Sequence, residues 1–333
     1  MPQYPASIDL QTLTGGAGYT FRSGTAGDWL GYAIHTVGDV NGDFITDFLI
    51  GAPGEDPLPS AATHTLAGKA FLIFGGSLAF FTLDGEDGAF DNIIDVANLD
   101  GTTGYVFQGI TLGDETGVSV WGGSDLDGDN DADLLIGSPS FTDSTAEGNV
   151  VIISGGAANL AALDAADGTT DGTIQLSNAT AGGYRIVGPD AGDHAGFSVS
   201  SVHDVNGDGY SDFLIGANFA DPSGRNASGE AYLVFGGPTS LAALDAADGS
   251  TNNTIDLSNL TSATGYVFAG VANNDQAGIS VAGIHDVNGD GINDLLVGAW
   301  LANPNALNNA GNTYIVFGGA ANLAAMDTAG GAA

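Results

Sequence analysis

Acidic side chains recur in this chain at a spacing suited to cation ligation. Asp39, Asn41, Asp43 and Asp47 stand at positions 1, 3, 5 and 9 of one short loop. The same positions are filled by Asp125, Asp127, Asp129 and Asp133, by Asp204, Asn206, Asp208 and Asp212, and by Asp286, Asn288, Asp290 and Asp294. Oxygen ligands on alternate residues turn inward around one ion, and Ca²⁺ takes six to eight such oxygens at about 2.3–2.6 Å. The residues at position 7 are Ile45, Asp131, Tyr210 and Ile292, which share no chemistry. A main-chain carbonyl ligand at that position would make side-chain identity irrelevant. Position 12 is Ile50, Ile136, Ile215 or Val297, where a helix–loop–helix calcium site would need a glutamate. These loops are therefore expected between strands. Mg²⁺ fits less well, because it keeps its waters and rarely accepts an all-protein cage. The expectation is one Ca²⁺ per loop, about four per chain. Asp, Asn and Gly also make plain turns. However, three or four carboxylates within nine residues repel one another without a cation, and the pattern occurs four times.

The loops belong to a longer repeat. The phrase beginning at Asp39 returns at Asp125, Asp204 and Asp286, a period of about 80 residues. An alternating segment precedes each loop, at Gly31–Ile34, Gly117–Val120, Gly196–Val199 and Gly278–Val281. A β-branched and aromatic run follows, at Ala70–Phe74, Val150–Ile153, Ala231–Phe235 and Thr313–Phe317, and each run closes on a pair of glycines. A Gly-Tyr segment at Tyr19, Tyr105, Tyr184 and Tyr266 supplies a further short strand signal. These are strand lengths and strand compositions punctuated by glycine. Four strands and one long connection per repeat predict an all-β β-propeller. The connections run from Asn159 to Ser177 and from Leu241 to Ser258, and Leu-Ala-Ala-Leu-Asp in each is compatible with one helical turn.

Composition agrees with a metal-dependent β protein. The 333 residues include 54 glycines and are 43% hydrophobic, enough apolar surface for a core. Forty acidic residues face four basic ones, for a formal charge of −36. That balance argues against nucleic-acid binding, which needs basic clusters. There is no cysteine, so a bound metal is the remaining cross-link for so acidic a chain. No apolar run reaches the 18 residues of a membrane span. Met1-Pro2 opens onto polar sequence, so a secretory signal is absent or was removed earlier.

Catalysis finds little support. His203 and His285 hold equivalent places just before their loops, which points to a role in the repeat. No nucleophile-elbow, zinc-protease or phosphate-loop motif is present. Glu55, Asp56 and His64 break the repeat but lie in a proline-rich loop, where solvated side chains are expected. Trp29, Trp121 and Trp300 are not equivalent to one another, and packing is their expected role. The chain is read as a non-enzyme.

The acidic loop followed by Asp-Phe-Leu-Ile-Gly-Ala resembles the FG-GAP repeats of integrin α-chain propellers and their bacterial relatives. Gly51-Ala52-Pro53 matches the GAP element, and Gly137-Ser138-Pro139, Gly216-Ala217-Asn218 and Gly298-Ala299-Trp300 match it loosely. The FG element survives as Leu30-Gly31, Thr116-Gly117, Ala195-Gly196 and Ala277-Gly278. The resemblance implies Ca²⁺ in the loops, a secreted or cell-surface setting and adhesion or ligand binding. The implied partner is a protein or glycan on a cell or matrix surface, with no nucleic acid and no membrane insertion. The alternative is a structural subunit that joins copies of itself into a surface layer or filament by strand exchange. The family usually closes seven shorter blades, whereas this chain has four. One domain of four repeats is expected, at about 23–109, 110–188, 189–270 and 271–320. The chain opens on Ser7-Ile8-Asp9-Leu10, which reads like the connection at Thr254-Ile255-Asp256-Leu257. The strand around Gly18–Arg22 is therefore expected to close the last repeat by pairing with Thr313–Phe317, so that residues 1–22 complete it. A piece of a longer array, or exchange between chains, would leave the same orphan strands.

Overall fold

The computed structural model describes residues 10, 13, 17–55, 66–141 and 145–330. The expected set of strands is present, and the sheets carry the fold. After β1 (Thr20–Arg22), the first repeat contributes β2 (Ile34–Gly38), β3 (Asp47–Ala52), β4 (Lys69–Ile73), α1 (Ser77–Gly85), β5 (Ile93–Asp95) and β6 (Gly104–Gln108). The second repeats the order with β7 (Ser119–Ser124), β8 (Asp133–Ser138), β9 (Asn149–Ile153), α2 (Ala157–Asp164), β10 (Thr173–Gln175) and β11 (Gly183–Val187). The third has β12 (Ser198–His203), β13 (Asp212–Ala217), β14 (Glu230–Val234), α3 (Pro238–Asp245), β15 (Thr254–Asp256) and β16 (Gly265–Ala269). The last has β17 (Ala277–Ile284), β18 (Asp294–Ala299), β19 (Asn312–Val316) and α4 (Ala320–Gly330).

Within a repeat the strands meander antiparallel, so β2, β3, β4 and β6 lie in order, as do β7, β8, β9 and β11. The short strand in each connection then pairs in parallel with the fourth strand of the repeat before it. β10 adds to β6, and β15 adds to β11. The connections hold more order than one helical turn, because Leu160 and Leu163, or Leu241 and Leu244, bury their side chains and fix the helix against the sheet.

The sheets stack face to face in sequence order. Val37, Leu49 and Leu72 of the first sheet pack on Leu134, Ile136 and Val151 of the second. Leu135, Val150 and Ile152 on the second sheet's other face meet Phe213, Ile215 and Tyr232 of the third. Leu214 and Leu233 then meet Leu295 and Val297 of the fourth. Strands covered on both faces need apolar residues at every position, which is why they read as unbroken runs rather than alternating ones. The inner strands β2, β7, β12 and β17 lie side by side, tied by Ser124 Oγ to Ser201 Oγ at 3.0 Å and by the Gly283 N–H to Ser200 Oγ at 3.1 Å. This arrangement is propeller-like.

The expected pairing of the N-terminal strand with Thr313–Phe317 is not present among the described residues. β1 pairs in parallel with β5, in the register Thr20↔Ile93 and Phe21↔Ile94. Two forces keep it there. Phe21 meets Phe48 edge-on at 5.4 Å, with Tyr19 against Phe80, and Arg22 forms ion pairs with Asp87 and Asp95. β1 thus stands to β5 as β6 stands to β10, in the place of a fourth strand belonging to a preceding repeat. Among the described residues β19 pairs only with β18.

Candidate metal centres

Each acidic loop joins the inner strand of a sheet to the second strand. A register shift at Thr36/Gly38, Gly122/Ser124 and Ser201/His203 ends the first three inner strands just before their loops. The position-1 carboxylate holds the turn. Asp39 accepts from the N–H groups of Gly42, Asp43 and Phe44, and Asp204 and Asp286 accept from the corresponding three. Asp125 accepts from Gly128 and Asn130. Position 5 accepts from the N–H of position 7, at 2.8–2.9 Å from Asp43 to Ile45, Asp129 to Asp131, Asp208 to Tyr210 and Asp290 to Ile292. Positions 4 and 6 take positive φ, which explains Gly42, Gly128, Gly207 and Gly289. At position 6 the left-handed residues are Phe44 and Asn130 in the first two loops and Gly209 and Gly291 in the others.

Position 9 anchors the loop to the sheet. Asp47, Asp133, Asp212 and Asp294 are each 0% exposed. One oxygen accepts from the N–H of position 2 and the other from the first glycine after the third strand, Gly75, Gly155, Gly236 or Gly318. Burial raises the pKa of Asp47, pushes Asp133 up to about 8 and pushes Asp212 up to about 7, against the lowering effect of those N–H bonds. The Asp127 charge adds to the effect at Asp133. Asp127 is itself raised by burial, and the Ser154 hydroxyl donates to it. A divalent cation would favour the charged form of all these groups.

The second loop comes nearest to a formed cation site. Asp125, Asp127 and Asp133 bring one carboxylate oxygen each within 4.8 Å of one another, the one such grouping among the described residues. The other loops place Asn41, Asn206 and Asn288 where Asp127 stands, and those amides donate to Asp43, Asp208 and Asp290. At position 7 the side chain has a task that its varied identity concealed. Ile45, Asp131, Tyr210 and Ile292 each lie against the Gly-Gly turn, so close that a Cβ on Gly237 would meet the Tyr210 ring at 2.5 Å. The paired glycines make room for them.

A second repeated aspartate was not singled out from the sequence. Asp28, Asp114, Asp193 and Asp275 are all buried, one residue before a left-handed Trp29, Glu115, His194 or Gln276. Three of them accept backbone N–H groups from three residues back, at Thr25, Thr111 and Ala272. Their constant offset before the FG-type glycine was the available signal. Asp193 is pushed up to about 7 by burial and by Asp190, Glu230 and Asp221. Glu115 is pushed up to about 7 by burial alone, partly offset by a backbone N–H from Phe141.

The remaining sequence candidates divide. His203 and His285 stack in parallel at 5.9 Å across adjacent inner strands, consistent with a repeat role. Trp121 packs on His35, whereas Trp29 and Trp300 are exposed rather than packed. Glu55 is partly buried and paired with Lys69 at 2.9 Å rather than fully solvated. Asp56 and His64 lie outside the described residues.

Sheets stacked in series, each bearing an acidic loop between its inner strands, define a β-repeat protein of propeller-like design. The family model for the FG-GAP repeat matches residues 30–71, 116–153, 195–234 and 277–316, and the chain is an integrin-like FG-GAP repeat protein. It is 29% identical to integrin alpha-PS2 of Drosophila melanogaster over 63% of this chain and 12% of that protein. It is 28% identical to integrin alpha-5 of Xenopus laevis over 68% of this chain and 20% of that one. Integrin alpha pat-2 of Caenorhabditis briggsae is 32% identical over 34% and 8%. The chain therefore spans a fifth or less of the length of these relatives. No helix among the described residues is long and apolar enough to cross a membrane.

Proposed function

We propose that this chain is an extracellular, non-enzymatic adhesion or ligand-binding module whose four loops each hold one Ca²⁺. The ligands are the side chains at positions 1, 3, 5 and 9 with the main chain at position 7. The observation that carries this reading is the repeated anchoring of the position-9 aspartate. A fully buried carboxylate is held by two N–H groups in all four loops, and in the second loop Asp125 and Asp127 bring their oxygens within 4.8 Å of it. That arrangement is costly for anions alone and suits a cation. The integrin α relatives support a surface-exposed binding role. Ca²⁺ would fix the loops at one end of the stacked sheets, so that they present a rigid surface to a protein or glycan partner. The test is binding to an array of purified cell-surface and matrix proteins and glycans, in Ca²⁺ and in chelator. Saturable binding that chelation abolishes is expected. Binding to none of them, or binding indifferent to chelation, contradicts the reading.

A further inference from the structure

Each repeat is clamped to the next through a pair of glycines. The Gly117 carbonyl lies so close over Gly51 that a Cβ there would stand 1.9 Å from its oxygen. Gly196 lies over Gly137 and Gly278 over Gly216 in the same way, at 2.2 and 2.0 Å. Ser119 and Ser198 hydroxyls donate to the carbonyls of Gly196 and Gly278 at 2.8 and 2.9 Å. The two halves of a fourth clamp exist at opposite ends of the chain. Gly298 and the exposed Ser280 have no carbonyl of a following repeat over them, and Gly31, at φ 89°, has no atom within 4 Å of its would-be Cβ. The two ends do not meet each other within the chain.

The sheet edges carry the same complementarity. Ile315 on β19 is 55% exposed, whereas Leu72, Ile152 and Leu233 at its equivalent positions are 0% exposed, packed on the sheet of the following repeat. β1 has the sequence and pairing of a fourth strand, yet its edge opposite β5 has no strand partner among the described residues. Tyr19 precedes Gly31 by the same interval that separates Tyr105 from Gly117, Tyr184 from Gly196 and Tyr266 from Gly278. Beside β19 a groove of about 710 Å³ opens between β16 and α4, lined by Tyr266, Phe268, Tyr314, Leu323 and Met326. The outer edges of β6 and β11 carry β10 and β15.

We propose that the last repeat of one copy binds the first repeat of a second copy, head to tail. β1 of the second copy completes the fourth sheet in the register Gly18↔Val316, Tyr19↔Ile315 and Thr20↔Tyr314. Its Gly31 carbonyl lies over Gly298 and accepts from Ser280. A second copy is the occupant because the site requires a Gly-Tyr strand followed at a fixed interval by a left-handed glycine. In this chain the segment 18–31 is the one copy of that pattern not already used between repeats. The contact joins two different surfaces, so it builds rings or open chains. It also covers an apolar strand edge that otherwise invites unspecific pairing. The inference is separate from the calcium reading and is tested with the loops intact in Ca²⁺.

The chain has no cysteine, which permits a direct register test. Thr20→Cys and Tyr314→Cys variants are mixed under mild oxidation. Disulfide-linked heterodimer is expected, and far less from Thr20→Cys mixed with Thr313→Cys, because a one-residue slip puts the two side chains on opposite faces. Light scattering should show concentration-dependent growth in mass, which Gly298→Val abolishes while the circular dichroism spectrum is retained. A wild-type protein that stays monomeric at all concentrations, with no heterodimer from the mixed Thr20→Cys and Tyr314→Cys variants, overturns the proposal. So does a disulfide formed within one chain by the double variant Thr20→Cys/Tyr314→Cys, since that places the partner strand in the same molecule.

Discussion

Gly137→Ala should destabilise the chain far more than Gly298→Ala, although both residues sit at the same place in the repeat. A Cβ on Gly137 would lie 2.2 Å from the Gly196 carbonyl oxygen and equally close to Ser119 Oγ. The hydroxyl can rotate away, but the carbonyl is fixed by the Ser119 hydrogen bond and by the Gly196 N–H, which donates to Gly216. The third repeat must therefore shift against the second. Overpacking of this kind costs about 1–3 kcal/mol. Weakening one or two hydrogen bonds across the clamp adds about 0.5–1.5 kcal/mol each. A total of about 1.5–6 kcal/mol follows. At Gly298 the close neighbour is the Ser280 hydroxyl, at 2.4 Å from the would-be Cβ, and no carbonyl of a following repeat is near. Its substitution should cost less than about 1 kcal/mol, the usual range for a site that touches little. Urea denaturation at low protein concentration, in saturating Ca²⁺, compares the two through midpoints at constant slope. Equal losses, or a Gly137→Ala protein as stable as wild type, would refute the reasoning that the glycine pair is a backbone clamp.

Three further outcomes follow from the loops and the buried acids. Chelation should lower the melting temperature by well over a few degrees, because cation binding stabilises the folded state by linkage; an unchanged melt in excess chelator would oppose this. The loops should differ in affinity. The second, with the Asp127 carboxylate, should bind tightest, and the first weakest, because Phe44 must hold φ 68° at a strain of roughly 1 kcal/mol or more. Phe44→Gly should tighten the weakest step of a Ca²⁺ titration, and a titration in which Asp43→Ala removes the tightest site would contradict the order. Finally, Glu115→Gln should change the pH dependence of stability. The folded-state pKa of Glu115 is raised from 4.5 to about 7, so its contribution is most favourable below 4.5, declines as pH rises toward 7 and is level above. The variant should gain about 1–3 kcal/mol relative to wild type across that window. A difference between the two proteins that does not vary with pH would contradict the assignment.

The repeat, its four main strands and the acidic turn were legible because each is local. Position 9 recurs at a fixed place in every loop, a Gly-Gly pair follows every third strand, and apolar runs such as Leu134–Ile136 announce strands covered on both faces. The helices α2 and α3 were underestimated because their stability comes from two leucines docking on a distant sheet, which a short Leu-Ala-Ala-Leu segment does not show. The pairing of β1 with β5 was not legible for a related reason. Counting strands showed that β1 and β19 each lack a neighbour, but not that Tyr19, Phe21 and Arg22 hold β1 on the first repeat through Phe80, Phe48, Asp87 and Asp95. The buried Asp28, Asp114, Asp193 and Asp275 passed unnoticed because a lone acidic residue beside glycine reads as an ordinary turn.

The most direct test of the calcium account is metal content. The protein is dialysed against Ca²⁺, separated from free ion and assayed for bound calcium, with a parallel calorimetric titration of the chelated form. Four ions per chain are expected, with binding lost one site at a time when Asp47, Asp133, Asp212 or Asp294 is replaced by Asn. Fewer than two ions per chain would contradict it.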